Sequence, residues 1–395
     1  MKRFFVFILI SFSVFNFSLA QKKEISQAQA IVKSGKDLGK AEESMRKLLA
    51  DSSNSENMKI WHLLTEAIRI QYEQGNEQLY LKQKYDTAQL FNIEQRMFQA
   101  YEAMDSAEVR LASRDKRALK SRKRNSEYLD KFRNNLYSGG VFFISKQNYA
   151  SAYSLFDTFL DCVSQPMFAS YKYSMSSQLE LSASYLATYC GAKLGDDSLA
   201  LKYSGFALEY KPGREKVLQM LANVYDRQKR RDLYQGTLET GFNEYPRSEF
   251  FFSRLVDLLD SKNETDSALV IVDKAIASDS TNVLFRYAKS NLLLNLGRYE
   301  ECVSVCDSLI SVSDSLANAY YNAGIAYINM AFKAEKRGDK KSQIKKYYKS
   351  ALPYMERYRE LAPDQKDKWA AALYNVYLNL NMGKKFEEIS NLLMQ

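Results

Sequence analysis

The chain has 395 residues, with 56 Lys and Arg against 47 Asp and Glu, a formal charge of +9, one histidine and four cysteines. Fifteen glycines and five prolines supply little of the turn chemistry that many strands demand, so the composition argues against a strand-rich fold and for helices. A single histidine removes every metal site or mechanism that needs two, and four cysteines in this length do not make a disulfide scaffold.

Residues 1–20 open with Lys2 and Arg3, run apolar from Phe4 to Phe17 and close on Ser18-Leu19-Ala20. This is the pattern of a secretory signal peptide, with cleavage expected after Ala20 and a periplasmic mature chain. A bacterial lipid anchor needs a cysteine at the cleavage site, and the first cysteine is Cys162, so no lipoprotein is expected. Without Lys2 and Arg3 the chain keeps 54 basic residues against 47 acidic ones, a mild excess that bears on solubility more than on choice of partner. No later stretch approaches the roughly 20 apolar residues that span a bilayer.

Residues 21–125 read as degenerate helical repeats, marked by Gly35 with Ala41 and then by Trp61 and Ala88. They end in a basic linker, Arg114 to Arg124, with seven cations and one acid. His62 follows Trp61 in a helical stretch, where a surface or packing role is the simpler reading.

Residues 126–395 carry the regular signal. The interval from Pro212 to Pro246 recurs along the chain, and other positions fall into its register: Ala200, Tyr234, Ala268 and Cys302; Ala207, Gly241, Ala275 and Leu309; and Gly195 with Gly297, three intervals apart. A period of this length, 34, marks a stacked helix-turn-helix, in which small residues recur because paired helices approach closely only where side chains are short. The stretches Gly195–Pro212 and Leu296–Cys306 resemble the tetratricopeptide repeat family. That resemblance implies an all-α solenoid, a superhelix of seven or eight helical hairpins, covering most of the mature chain.

In the next repeat Tyr320, Gly324 and Tyr327 occupy the family's first-helix positions, but Cys302 to Ala351 is 15 residues longer than one period. An insertion is therefore expected near 333–347, where a second basic run lies. Trp369, six residues after Pro363, stands where the family opens a further repeat. Upstream, Ala152 to Ala200 also exceeds one period, which calls for another insertion of about one helix.

No phosphate loop, paired-cysteine metal motif or nucleophile elbow appears, so neither an enzyme, a cofactor nor a metal is expected. Cys302 and Cys306, one helical turn apart, read as small buried residues; a Cys162–Cys190 bridge would require a proximity that sequence does not establish. The resemblance implies ligand binding along an inner groove formed by the first helix of each pair, and the register carries that groove onto Tyr185, Tyr189, Gln219, Asn223, Asp257, Tyr287, Asn291 and Tyr321. Tyrosine faces and side-chain amides suit an extended peptide backbone or sugar hydroxyls. Asn223 and Asn291 match the asparagines of the family's clamp for a terminal carboxylate, but Tyr185, Gln219 and Tyr287 stand where its lysines are expected, so capture of a chaperone tail is not.

The expected partner is thus a protein or peptide, with glycan binding at the outer membrane as the alternative. Nucleic acid is not expected, membrane contact would be peripheral through the basic segments, and the oligomeric state is left open. An Asp-(Ser/Thr)-(Ala/Leu) pattern at Thr87, Ser106, Ser198, Ser267, Ser308 and Ser315 resembles a bacterial O-glycosylation sequon, although Asp-Ser is also a favoured helix start, as at Asp266-Ser267.

Overall fold

A computed structural model describes residues 21–394 apart from 116–118 and 120, and among these residues every regular element is helical. The expected signal peptide and the middle of the first basic segment lie outside the described residues. The chain divides into two compact units, one ending at Val224 and the other beginning at Tyr225.

The first unit contains α1 (21–34), α2 (Leu38–Leu49), α3 (Met58–Tyr80), α4 (Thr87–Asp115), α5 (Arg122–Asp130), α6 (Arg133–Ser145), α7 (Tyr149–Asp161), α8 (Gln178–Leu194), α9 (Asp197–Lys202), α10 (Ser204–Ala207) and most of α11 (Arg214–Arg227), whose last three residues belong to the second. Helices adjacent in sequence pack against one another, α3 on α4, α6 on α7 and α8 on α9. One continuous apolar core runs from Ile25 to Cys190. The second unit holds α12 (Arg231–Glu244), α13 (Glu249–Ser261), α14 (Thr265–Ser278), α15 (Val283–Asn295), α16 (Tyr299–Val312), α17 (Ala317–Arg337), α18 (Lys341–Leu361), α19 (Lys366–Leu380) and α20 (Gly383–Met394). Its hairpins α13/α14, α15/α16, α17/α18 and α19/α20 stack in order, so the all-α helical-repeat fold expected from the period is the fold observed.

The period has a backbone cause. Gly195, Lys229, Asn263 and Gly297, each one period after the last, all have φ between 58° and 72°. Each follows a first helix, and the next amide closes a six-residue loop onto that helix: Asp196 N–H on Gly191 O at 3.1 Å, and Arg230 on Tyr225, Glu264 on Leu259 and Arg298 on Leu293 at 2.9 Å. This left-handed cap satisfies carbonyls that the helix end leaves open and turns the chain back on itself. Ala200, Ala268 and Cys302 are then buried where the second helix crosses the first. At Gly191 the first helix meets backbone directly: an added Cβ would stand 2.4 Å from the nitrogen of Ala200.

The two interruptions of the register have different physical forms. The α17/α18 hairpin is lengthened on both sides of its turn: each helix has 21 residues, eight more than α15 and seven more than α16, which accounts for the whole surplus. Upstream, the extra residues do not form a helix of the array as expected. They form the long connection between α7 and α8, whose regular structure is a six-residue 3₁₀ stretch at Pro166–Tyr171 with Met167 and Phe168 anchored in the core. The sequence there is interrupted by Pro166 and a run of Ser and Tyr, and it cannot sustain an apolar helical face.

The two tryptophans play one part. The indole N–H of Trp61 donates to Ser55 O at 2.8 Å and that of Trp369 to Pro363 O at 3.3 Å, each tying a first helix to the carbonyl six residues upstream. At α14 the expected start needs adjustment: the helix begins at Thr265 with Glu264 at the cap position, so Asp266 lies within the first turn and is not the cap. At Asp86-Thr87 the capping role is direct, the Asp86 carboxylate accepting from Ala88 N–H at 2.9 Å.

Candidate functional site

In the second unit the first helices α13 and α15 place polar residues on one face at helical spacing. Ser253, Asp257 and Asp260 recur on α13; Tyr287, Asn291 and Asn295 do so on α15, with the apolar Leu284 one turn before them. Together they line a concavity of about 210 Å³ floored by Phe252, Val256 and Leu292. Three of the expected groove residues, Asp257, Tyr287 and Asn291, are therefore brought to one opening. Tyr321, one period after Tyr287, lies on α17, where its ring packs on Tyr358 at 5.0 Å and the Lys368 ammonium lies 5.8 Å from its centre. Burial raises the Tyr321 phenol, with Tyr287 a further contributor, so it remains a neutral hydrogen-bonding group.

A buried residue orients this surface. Asn322, next to Tyr321 and 3% exposed, donates its amide to Asn291 Oδ1 at 2.6 Å and to Ser290 Oγ at 2.9 Å. With its Oδ1 engaged, Asn291 is left to present its Nδ2 hydrogens, the donors that a ligand carbonyl needs. Asp260 accepts from Thr265 Oγ1 at 3.1 Å, and the exposed Asp257 is the other carboxylate of the opening. Burial also raises the Tyr358 phenol, whose hydroxyl is enclosed beside Tyr321 without a hydrogen-bond partner among the described residues. Ser253, Asp260, Asn295 and Asn322 were not anticipated. Ser253 sits one period before Tyr287 and was open to the same register argument; Asn322 acts from inside the stack, where no sequence position distinguishes it.

The first-unit candidates are engaged differently. The Tyr185 ring stacks on Tyr210 at 5.5 Å and lies over Gly213, where an added Cβ would stand 2.7 Å from it. Tyr189 meets Tyr149 edge to face at 6.0 Å, with Lys193 over its ring at 5.5 Å. Gln219 is bonded along α11 to Glu215 and Lys216, both at 3.2 Å, and Asn223 is exposed one turn further on. The two tyrosines thus spend much of their aromatic surface within the repeat stack.

A second concavity, of about 490 Å³, opens in the first unit beside His62 and is lined by Arg69, Tyr101, Arg124 and Tyr128. His62 is exposed at its rim. Arg69 is clamped by Glu66 and by Glu73, at 2.6 Å from the latter, and Tyr128 donates to the same Glu73 at 3.0 Å, so the cation is already neutralised. In the first basic segment Arg114 pairs with Glu56 at 2.9 Å and Arg122 grips Asp105 with two bonds of 2.8 Å.

The cysteines are free thiols buried in the stack, Cys302 and Cys306 included, and no bridge joins Cys162 to Cys190. Burial pushes the Cys190 thiol up to about 12, away from reactivity. Of the six sequon positions, Ser106, Ser198, Ser267, Ser308 and Ser315 are exposed, while Thr87 is half-buried at the start of α4. Among the described residues no group of three or more His, Cys, Asp or Glu is placed to hold a metal, and no helix is long and apolar enough to cross a membrane.

No family model matches the chain, and no curated protein sequence matches it either. Solved structures do. The C-terminal part of a TPR repeat-containing protein from Cytophaga hutchinsonii is 15% identical over 64% of this chain and 92% of its own, with a TM-score of 0.44. YrrB, described as a TPR protein with an unusual peptide-binding site, is 19% identical over 46% of this chain and 86% of its own, at 0.35. A MamA RS-1 mutant is 16% identical over 46% and 92%, at 0.38. The solved structures that the chain is similar to are thus helical-repeat proteins of low identity, and the site rests on its own geometry.

Proposed function

We propose that the chain is a non-catalytic scaffold whose second-unit opening binds an extended segment of a protein or peptide. The observation that carries this reading is the pinning of Asn291 by Asn322 at the edge of a concavity that also holds Asp257 and Tyr287. A fixed amide donor beside a phenol and a carboxylate can pair with the alternating carbonyl and N–H groups of an extended backbone. The apolar floor gives a side chain of that segment something to bury against. Tyr321 continues the row one repeat further. A periplasmic setting, reached by cleavage after Ala20, belongs to the same reading, and the N-terminal residue of the protein recovered from cell fractions tests it.

The direct test is an array of extended peptides probed with the full chain and with Asn291→Ala, Tyr287→Phe and Tyr321→Ala variants that melt like the parent. Peptides bound by the parent and released by Asn291→Ala support the scaffold. Peptide binding indifferent to all three changes overturns the assignment of the site. Failure on peptides together with binding to a polysaccharide array overturns the ligand class and favours glycan recognition.

A further inference from the structure

The lengthened hairpin of the second unit ends in a concentration of positive charge that the groove does not use. In register α17 corresponds to α15 from its first residue, Ala317 standing one period after Val283, so its surplus residues are 330–337. Those of α18 precede Tyr348, which corresponds to Tyr299 once the surplus is allowed for. Both extensions therefore lie at the turn, and about eight residues at 1.5 Å each carry the tip about 12 Å beyond the end of α15. Lys333 still touches the neighbouring turn, its ammonium reaching Gly297 O at 3.2 Å and lying over the Tyr299 ring at 4.5 Å.

Residues 333–349 hold eight cations and two acids. One acid, Asp339, is held by Arg337 at 2.8 Å, and the other, Glu335, accepts from Tyr348 at 3.3 Å. Lys336, Lys340, Lys341, Lys345, Lys346 and Lys349 are exposed, and none of their ammonium groups has a partner among the described residues. Holding so many like charges together is unfavourable for the isolated protein, and an opposing anionic surface relieves that repulsion.

We infer that this tip is a docking surface for an anionic lipid bilayer. Three features favour a bilayer over an acidic protein. The free cations are all lysine, whose compact, mobile ammonium suits a fluid field of headgroups, whereas fixed bidentate recognition of carboxylates draws on arginine. The lysines surround the end of a hairpin, all of them exposed, and so present their charge outward to a surface. The overhang lets them meet a plane before α15 and α16 obstruct the approach. The attraction is electrostatic and leaves the hairpin on the surface, without insertion.

The test is co-sedimentation of the full chain with vesicles of phosphatidylcholine alone and of phosphatidylcholine mixed with phosphatidylglycerol, beside immobilised polyglutamate. The parent is expected to bind only the anionic vesicles, and to be released at ~1 M salt, where the screening length falls to about 3 Å. Changing Lys340, Lys341, Lys345 and Lys346 together to Glu should weaken this binding on the order of 100-fold or more, and changing the same four to Arg should preserve it. Both variants should keep the parent's helicity and melting temperature, because these four side chains are exposed and have no hydrogen-bond or ion-pair partner among the described residues. Equal binding by the Glu variant, or a parent that ignores anionic vesicles, overturns the inference. Tip-dependent retention on polyglutamate without vesicle binding overturns it in favour of an acidic protein.

Discussion

Replacing Gly191 by Ala gives the sharpest test of how the repeat is held together, because two effects of opposite sign meet at one atom. In the interior of a helix Ala is favoured over Gly by about 1 kcal/mol, so the change should stabilise α8 taken alone. The added methyl carbon, however, would stand 2.4 Å from Ala200 N, 2.7 Å from Leu199 C and 2.8 Å from Ala200 Cα. All three are backbone atoms and cannot rotate aside, so α9 must retreat by about 1 Å to restore van der Waals contact, opening its packing on α8. Overpacking of this kind costs about 1–3 kcal/mol and more where backbone must shift, which exceeds the propensity gain. A net loss of about 2 kcal/mol is expected. Gly236 in α12 is the internal control: an added Cβ there meets nothing within 4 Å, so Gly236→Ala should stabilise by up to about 1 kcal/mol. Urea unfolding followed by circular dichroism, with hydrogen exchange on α8 and α9 to locate the loss, measures both. If Gly191→Ala proved as benign as Gly236→Ala, backbone contact would not be what fixes the crossing.

Other outcomes follow from buried polar groups. Glu94 is 1% exposed, and burial pushes its carboxyl up to about 8 despite bonds to Asn135 and Tyr72; burial does the same to Glu102, with Asp161 adding to it. The folded chain keeps these protons through a range where the unfolded chain releases them, so this stability is full below about pH 4.5 and is lost as pH rises toward 8. For Glu94 the loss is on the order of 4 kcal/mol, and Glu94→Gln should flatten the fall in melting temperature between pH 5 and 8. Arg133 and Glu180 form a 3.0 Å ion pair at 5% exposure each, with the guanidinium 3.9 Å from the Phe159 and Tyr173 rings. Glu180→Ala should cost about 3–5 kcal/mol, and adding Arg133→Met should recover much of it, as read from denaturation midpoints of the single and double variants. Asn322→Leu should weaken peptide binding by releasing Asn291 while the α15/α16 packing holds; binding isotherms and melts of the same sample separate the two. Gly297→Val should lower the melting temperature, since φ there is 72° and a β-branched residue resists that conformation at a cost of about 1–2 kcal/mol, whereas Lys229→Gly should not lower it.

The fold was legible because its constraint repeats. Ala200, Ala268 and Cys302 announce the crossing of paired helices through their size, and Gly195 and Gly297 announce the caps. The caps between them were hidden: Lys229 and Asn263 adopt the same left-handed backbone without being glycine, since the loop-closing bond and the crossing behind it outweigh the steric cost. The surplus at the α17/α18 hairpin was visible as a number of residues but not as a shape. Two helices lengthened around one turn, as at α17/α18, and a long connection with a short 3₁₀ stretch, as between α7 and α8, leave nearly the same offset in sequence, so the offset does not choose between them.

The site was legible only as far as the register reaches. A step of one period from a groove residue leads to a side chain on the same helix face, and that sufficed to gather Asp257, Tyr287 and Asn291 around one opening. Register says nothing about what else the side chain touches, and there Tyr185 and Tyr287 part company. Tyr185 meets Tyr210 and the bare backbone of Gly213, so its ring is drawn into the stack; Tyr287 lines the concavity with Ser253 and Asp257 and forms no ring pair among the described residues. The same residue type at equivalent positions is therefore stacked within the array in one repeat and lines an opening in another. What separates them is the set of neighbours each meets in the folded repeat, which is why specificity in a helical repeat has to be read from contacts between helices and why Asn322, a buried residue with no groove position, sets the direction of the donor at Asn291.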